Sequence, residues 1–177
     1  RAHTYVQSFV YDLPWGRGKR WLSQGVASQV LGGWQTNGIL TLMSGLPFTI
    51  RANGGGLNAP GNVQTANQVG DVSYPHGINT GNPWFSGASF VTPVGAVPGN
   101  VGRNNMTGPG FFNLDFSLFK KIAITERMQL ELRGEAMGAT NTAQFSNPGD
   151  TVGNANYTFV TGAGGGRNLQ LGIKLMF

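Results

Sequence analysis

Very few residues of this 177-residue chain have the types and spacing that enzymatic or metal chemistry requires. There is no cysteine, which excludes a thiolate nucleophile, a disulfide and a cysteine-ligated zinc site. The two histidines, His3 and His76, lie far apart, and neither belongs to a metal-ligand spacing or has an evident carboxylate partner. The sequence therefore predicts no enzyme, no cofactor and no bound metal.

Several glycine-rich or polar stretches have the composition of ligand-binding loops but lack the spacing. Residues 162–167 and 54–56 do not match G-x-G-x-x-G between a strand and a helix, and residues 16–20 lack the hydroxyl residue of a P-loop. Residues 147–154 offer oxygen ligands for Ca²⁺ without EF-hand spacing, so a polar loop is the favoured interpretation. The basic residues behind the net charge of +5 are dispersed, and no nucleic-acid partner is expected.

Charged residues also recur at alternate positions of predicted strands, on one face of each strand. They either line a path for a substrate or satisfy one another across a sheet, and the second role is the favoured one. If Lys120 lies opposite Met128, Asp115 faces Arg133. A register two residues tighter would set Asp115 against Glu131, and like charges facing each other are unfavourable. The first register is therefore predicted. The set comprises Asp115, Glu131, Arg133, Glu135 and Lys174.

The last ten residues are the clearest strand in the chain. Apolar and polar positions alternate without interruption from Asn168 to the terminal Phe177. A transmembrane β-strand needs about 9–11 residues with one face toward lipid. A C-terminal strand ending in Phe also resembles the recognition signal of outer-membrane barrel proteins. The alternative is a half-buried edge strand of a soluble β-protein. The predicted lipid-facing residues are Leu169, Leu171, Ile173, Leu175 and Phe177.

Four further segments have strand character, and one segment has helical character. Strands are predicted near residues 4–12, 34–44, 111–120 and 127–137, in addition to 168–177. Both faces of the first strand carry bulky residues, so its lipid-facing side stays open. The composition of residues 127–137 favours a helix, but their period-two alternation favours a strand. Residues 21–31 have the pattern of a short helix.

The composition agrees with a transmembrane barrel. Charged residues make up 11% of the chain, against about 25% in typical soluble domains, and 29 residues are glycine. Two polar loops, residues 51–110 and 138–167, are too long for a compact soluble domain but suit the outer side of a barrel. If the last strand ends in the periplasm, residues 121–125 and 13–33 are periplasmic turns, and the alternating charges face the lumen.

Five strands are too few to close a barrel, since the smallest barrels have about eight. An open sheet in lipid would leave backbone groups unpaired. The chain also begins without Met or a signal peptide. We therefore expect an all-β, antiparallel transmembrane barrel segment, incomplete by itself, that belongs to a longer outer-membrane protein.

An ordered series of motifs resembles the C-terminal end of the Oar-like TonB-dependent receptors, which carry a carboxypeptidase-regulatory-like domain. The resemblance spans nearly the whole chain but departs from the family pattern at residues 135–141. It rests on Leu13–Trp21, Leu31–Gln35, Ser44–Thr49, Trp84–Ser86, Gly99–Asn104, Gly108–Lys120, Ile124–Arg127 and Gln144–Pro148.

The resemblance implies a barrel of about 22 strands with an N-terminal plug, driven by TonB. Neither the plug nor a TonB-contacting segment is in this chain. The expected partners are outer-membrane lipid, the remaining barrel strands, the plug and, through the absent N-terminal part, TonB. The expected function is uptake or export of a bulky substrate. The alternative is a structural or adhesive surface protein that assembles with other chains.

Overall fold

A computed structural model describes residues 1–57, 63–79 and 81–177. The protein is all-β and antiparallel, as the sequence predicts. Residues 58–62 and 80 of the predicted loop 51–110 lie outside the described residues. The strands are β1 (Thr4–Asp12), β2 (Trp34–Met43), β3 (Pro47–Phe48), β4 (Arg51–Asn53), β5 (Val63–Thr65), β6 (Asn67–Gln68), β7 (Phe90–Val91), β8 (Met106–Thr107), β9 (Phe111–Ala123), β10 (Gln129–Met137), β11 (Gln144–Phe145), β12 (Ala163–Gly164) and β13 (Asn168–Met176). One α-helix, α1 (Gly25–Leu31), and two 3₁₀ turns, Gly55–Leu57 and Gly87–Ser89, complete the described structure.

The chain divides into two compact units. The sheet unit contains residues 4–42, 112–142 and 165–177, and the loop unit contains residues 1–3, 43–111 and 143–164. The sheet unit holds the five long strands in the order β1-β2-β9-β10-β13. Within the described residues β1 and β13 each pair with a single strand, so the sheet is open.

The pairing of β9 with β10 differs from the predicted register. Leu132 lies opposite Lys120, and Arg133 lies opposite Phe119 rather than Asp115. The prediction was wrong because β9 does not end at Lys120. It continues to Ala123, and the turn follows at Ile124, whose amide donates to the Met128 carbonyl at 2.9 Å. The four-residue shift keeps every side chain on its face, because faces repeat every two residues.

The apolar face of the sheet is continuous across β9, β10 and β13. Leu130, Leu132, Gly134 and Ala136 lie opposite Leu175, Ile173, Leu171 and Leu169, in that order. The same four residues lie opposite Ile122, Lys120, Leu118 and Phe116 of β9. Lys120 is therefore the one charged residue in these paired positions of the apolar face.

The helix α1 is shorter than predicted from the sequence. Leu22 and Gly25 have φ angles of 51° and 77°, in the left-handed region. A right-handed helix needs φ of about −60°, so the helix cannot extend through Leu22. It begins at Gly25, where glycine adopts a positive φ without strain. It ends before Gly32, whose amide donates to the Ser28 carbonyl at 3.0 Å.

The loop unit is more ordered than the sequence indicated. Four two-stranded ladders, β3–β8, β4–β5, β6–β7 and β11–β12, form within it. The hydrophobic residues that look scattered along the sequence pack into one core, and Phe85 and Ile50 in it have no exposed surface. The core comprises Phe48, Ile50, Ala52, Ala66, Trp84, Phe85, Phe90, Val101, Met106 and Val160. The described residues of the two long connections that lie in the loop unit thus form one folded structure.

Candidate functional site

The polar face of β10 carries the densest group of charges in the sheet unit. Glu131 Oε1 accepts a hydrogen bond from Arg133 Nε at 2.5 Å, and the Arg133 guanidinium lies 5.3 Å from the centre of the Phe119 ring. Glu131 also lies opposite Lys121 of β9 and Lys174 of β13. One buried carboxylate thus pairs with Arg133 on its own strand and stands opposite a lysine on each neighbouring strand. That these charges satisfy one another across the sheet stays a prediction.

The other two predicted lumen-facing residues lie elsewhere. The Asp115 carboxylate accepts hydrogen bonds from the Gly138 amide at 2.9 Å and the Asn113 side-chain amide at 3.0 Å, which fixes the turn after β10. Glu135 lies between Ser117 and Gln170. The structure therefore groups Glu131, Arg133 and Lys174 and separates them from Asp115. That this face borders a lumen stays a prediction.

The predicted lipid-facing residues of β13 are exposed on the open sheet. Leu171 is 87% exposed, and Leu169, Ile173, Leu175 and Phe177 are exposed as well. A row of large aliphatic side chains of this kind is typical of a surface that another apolar phase covers. Its contact with lipid stays a prediction.

The geometry of β2 settles which side chains of β1 share this apolar face. Lys120 Nζ, on the apolar face, lies 5.1 Å from the centre of the Trp34 ring. Gly38 has the same parity as Trp34, and the Phe9 ring fills the space beside Gly38, where a Cβ would come within 2.4 Å of two ring atoms. Phe9, and with it Tyr5 and Tyr11, therefore belongs to the apolar face.

Lys120 is the residue that sequence reasoning missed. Its side chain is 7% exposed. Its ammonium donates hydrogen bonds to the carbonyls of Gln29 at 3.0 Å and Gly32 at 3.1 Å, and also to that of Val30. These carbonyls form the C-terminal end of α1, which carries partial negative charge. The sequence signal was a lysine at an apolar position of an alternating strand.

The loop unit contains the residues with the chemical groups for ligand recognition. A cavity of about 440 Å³ is lined by Arg51, Asn53, Thr151 and Asn154 among others. The Asp150 carboxylate, a candidate oxygen ligand in the sequence, lies 3.4 Å from Arg51 Nε and accepts a hydrogen bond from the Thr151 hydroxyl. Among the described residues, no group of three or more histidine and acidic side chains is placed to hold a metal ion.

The histidines lie among aromatic and backbone groups of the loop unit. The His76 ring packs edge-on against Trp84, with ring centres 4.8 Å apart, and stacks on Tyr74. The backbone of His3 bonds to Ser44 through both its amide and its carbonyl. Tyr157 contacts Phe85 with ring centres 5.6 Å apart, and burial raises the pKa of its phenol to about 12.

Comparison with known proteins identifies the family. The model of a family described as an outer membrane beta barrel domain matches residues 1–170. No curated protein and no solved structure matches the chain. Among the described residues, no helix has the length and apolar character needed to cross a bilayer. The match covers nearly the whole chain, and the protein therefore belongs to the outer membrane beta barrel domain family and resides in the bacterial outer membrane.

Proposed function

We propose that this chain forms wall strands and surface loops of a TonB-dependent receptor of the Oar-like type. The observation that carries the proposal is the open five-stranded sheet together with the folded loop unit. In this role the chain helps to import or export a bulky substrate, and its partners are lipid, further barrel strands, a plug and TonB. The motif series that resembles the Oar-like receptors supports the same assignment.

The open sheet supports a larger barrel. In a bilayer each unpaired backbone group costs several kcal/mol, so strands from the rest of the parent protein should pair with β1 and β13. The apolar face extends from Phe9 to the β13 aliphatics, which is enough to form one side of a barrel wall. An open sheet of this size leaves the backbone groups of its edge strands unpaired, so it is not stable in lipid without the rest of a barrel.

The loop unit favours a receptor over a protein that forms only the wall of a barrel. It occupies a large share of the chain and has its own buried core. Its cavity of about 440 Å³ falls within the range of roughly 300–1,000 Å³ found for small-ligand sites. Arg51, Asn53 and Asn154 give this cavity donors and acceptors that suit a polar part of a larger substrate.

The test is to isolate the parent protein from outer membranes and determine its oligomeric state and its binding to the periplasmic domain of TonB. The expected result is a monomeric barrel of about 22 strands with a plug, which binds TonB through its N-terminal part. Ordered multimers of a parent protein that has no plug would contradict the receptor and favour the structural or adhesive alternative. The length of the parent open reading frame gives the first indication.

A further inference from the structure

The connection between β1 and β2 has a surface that the receptor function does not explain. We define residues 13–33, which include α1, as the turn segment. Lys120 extends from the apolar face of the sheet and donates to three carbonyls at the end of α1. The turn segment is therefore held against the side of the sheet on which the predicted lipid-facing residues lie.

The turn segment exposes more apolar surface than a turn in water requires. Val26 is 76% exposed, and Trp21, Leu22, Val30 and Leu31 are exposed as well. Trp residues are enriched where a membrane meets water, because the indole has an apolar body and a polar N–H. Since Lys120 holds this surface beside the apolar face, the two surfaces adjoin each other at the turn end of the strands.

The charges of the turn segment have one sign. Arg17, Lys19 and Arg20 precede the helix, and residues 13–33 contain no Asp or Glu. Lys19 is paired with Asp12 at 3.7 Å, whereas the Arg20 guanidinium lies 5.7 Å from the centre of the Trp21 ring. Arg17 lines a cavity of about 310 Å³ beside α1, and no acidic residue is among the lining residues.

We infer that the turn segment is an interfacial anchor that binds the headgroups of anionic phospholipids. Arg17 and Arg20 contact the lipid phosphates, while Trp21, Val26 and Val30 enter the boundary between headgroups and acyl chains. Basic and apolar side chains on one short segment are the two attractions that hold peripheral helices at anionic membranes. The inference goes beyond transport and holds for any barrel in which this chain lies.

The test uses the whole parent protein in vesicles of phosphatidylcholine with or without phosphatidylglycerol. The first measurement is quenching of tryptophan fluorescence by lipids brominated on their acyl chains, taken as the difference between the wild type and Trp21→Phe. We expect Trp21 to be quenched. A Trp21 that only a water-soluble quencher reaches would overturn the inference.

The second measurement is the affinity of the detergent-solubilised parent protein for phosphatidylglycerol. We expect Arg17→Gln/Arg20→Gln to lower this affinity about tenfold or more, because each cation near an anionic surface contributes separately. The matched control is Arg103→Gln/Arg167→Gln, which removes the same charge from two exposed arginines outside the turn segment. An equal loss in the control would overturn the inference.

Two further outcomes separate the lipid from other occupants. Inorganic phosphate at the same concentration should not displace phosphatidylglycerol, and full displacement would reduce the site to a simple anion site and overturn the lipid assignment. Association of two barrels through this segment would also overturn it. The shift in gel mobility on heating reports that each variant still folds, so a lost affinity is not mistaken for a lost fold.

Discussion

Lys120 shows how one side chain can join a strand to a connection. A lysine on the apolar face is costly unless its ammonium has partners, and here three backbone carbonyls and the Trp34 ring provide them. The same carbonyls belong to the end of a short helix, where carbonyls lack intrahelical donors, and that of Val30 also accepts a hydrogen bond from the Trp34 indole N–H at 3.4 Å. These hydrogen bonds thus provide partners both for the Lys120 ammonium and for the carbonyls at the end of α1.

Lys120→Met should release α1 while leaving the strands paired. The substitution removes the Lys120 donor from the carbonyls of Gln29 and Gly32, and an acceptor left unsatisfied costs about 1–3 kcal/mol where it is buried. Hydrogen exchange of the amides in residues 25–32 should therefore become faster. The control is Lys121→Met, because Lys121 is exposed and makes no such contact with α1. Unchanged exchange in Lys120→Met would contradict the role given to Lys120.

The raised pKa of Tyr157 makes the stability of the loop unit depend on pH. Its pKa is raised from 10.0 to about 12 because burial disfavours the phenolate. The unfolded chain then loses its proton first as the pH rises above 10, so it binds fewer protons than the folded chain and the unit is destabilised. The contribution of the neutral, buried Tyr157 phenol to the stability of the loop unit is fully present below pH 10 and is lost as the pH rises toward 12.

Ultraviolet absorbance of tyrosinate should detect this titration in the folded protein. Tyr157→Phe should abolish the late titration and reduce the loss of stability at alkaline pH. Tyr74→Phe is the matched control, because its hydroxyl bonds to the Met106 sulfur in the same unit but is more exposed. If the late titration persisted in Tyr157→Phe, it would belong to another group.

At the scale of elements, the alternation of a strand determines faces but leaves the register free. The faces of β9, β10 and β13 follow from the sequence, because Leu169 to Leu175 and Phe112 to Leu118 each alternate with polar residues. The register does not follow, because a shift by four residues keeps all faces the same. The placement of Glu131 opposite Lys121 depends on where β9 ends, and that depends on the turn at Ile124.

Cysteine pairs can test the observed register, since the chain contains no native cysteine. Phe119→Cys/Arg133→Cys should form a disulfide readily, because directly opposed Cα atoms lie about 4.5–5.5 Å apart. Asp115→Cys/Arg133→Cys should not, since four residues along a strand add roughly 13 Å. Gel mobility with and without reductant reports the result. Preferential cross-linking of the second pair would restore the register predicted from the sequence.

At the scale of the whole molecule, the part of the fold that the sequence did not predict depends on contacts between residues far apart in the chain. Phe48, Phe85 and Val160 share one core but stand far apart in polar sequence, without a period that marks them as partners. The sequence therefore identified the two long connections but not their common fold. It also identified the open five-stranded sheet, because each long strand carries its own pattern.

Phe85→Ala should unfold the loop unit selectively. Removing a fully buried phenylalanine costs about 3–5 kcal/mol, and Phe85 is 0% exposed. Proteases should cleave residues 43–111 faster, whereas the heat-dependent gel shift of the parent barrel should persist. Val94→Ala is the control, since Val94 is 90% exposed. Equal resistance of Phe85→Ala and wild type would show that the core contributes little.

The contribution of Val160 and Thr158 to the loop unit has a consequence for the order of folding. The Trp84 amide donates to the Thr158 carbonyl at 2.8 Å, across roughly 70 positions of the chain. Closing so long a segment carries an entropic cost before its contacts form, so it belongs to the slow steps of folding. The loop unit should therefore complete its core only after residues 143–164 have joined residues 43–111, and until then the apolar side chains of that core are open to association with other chains.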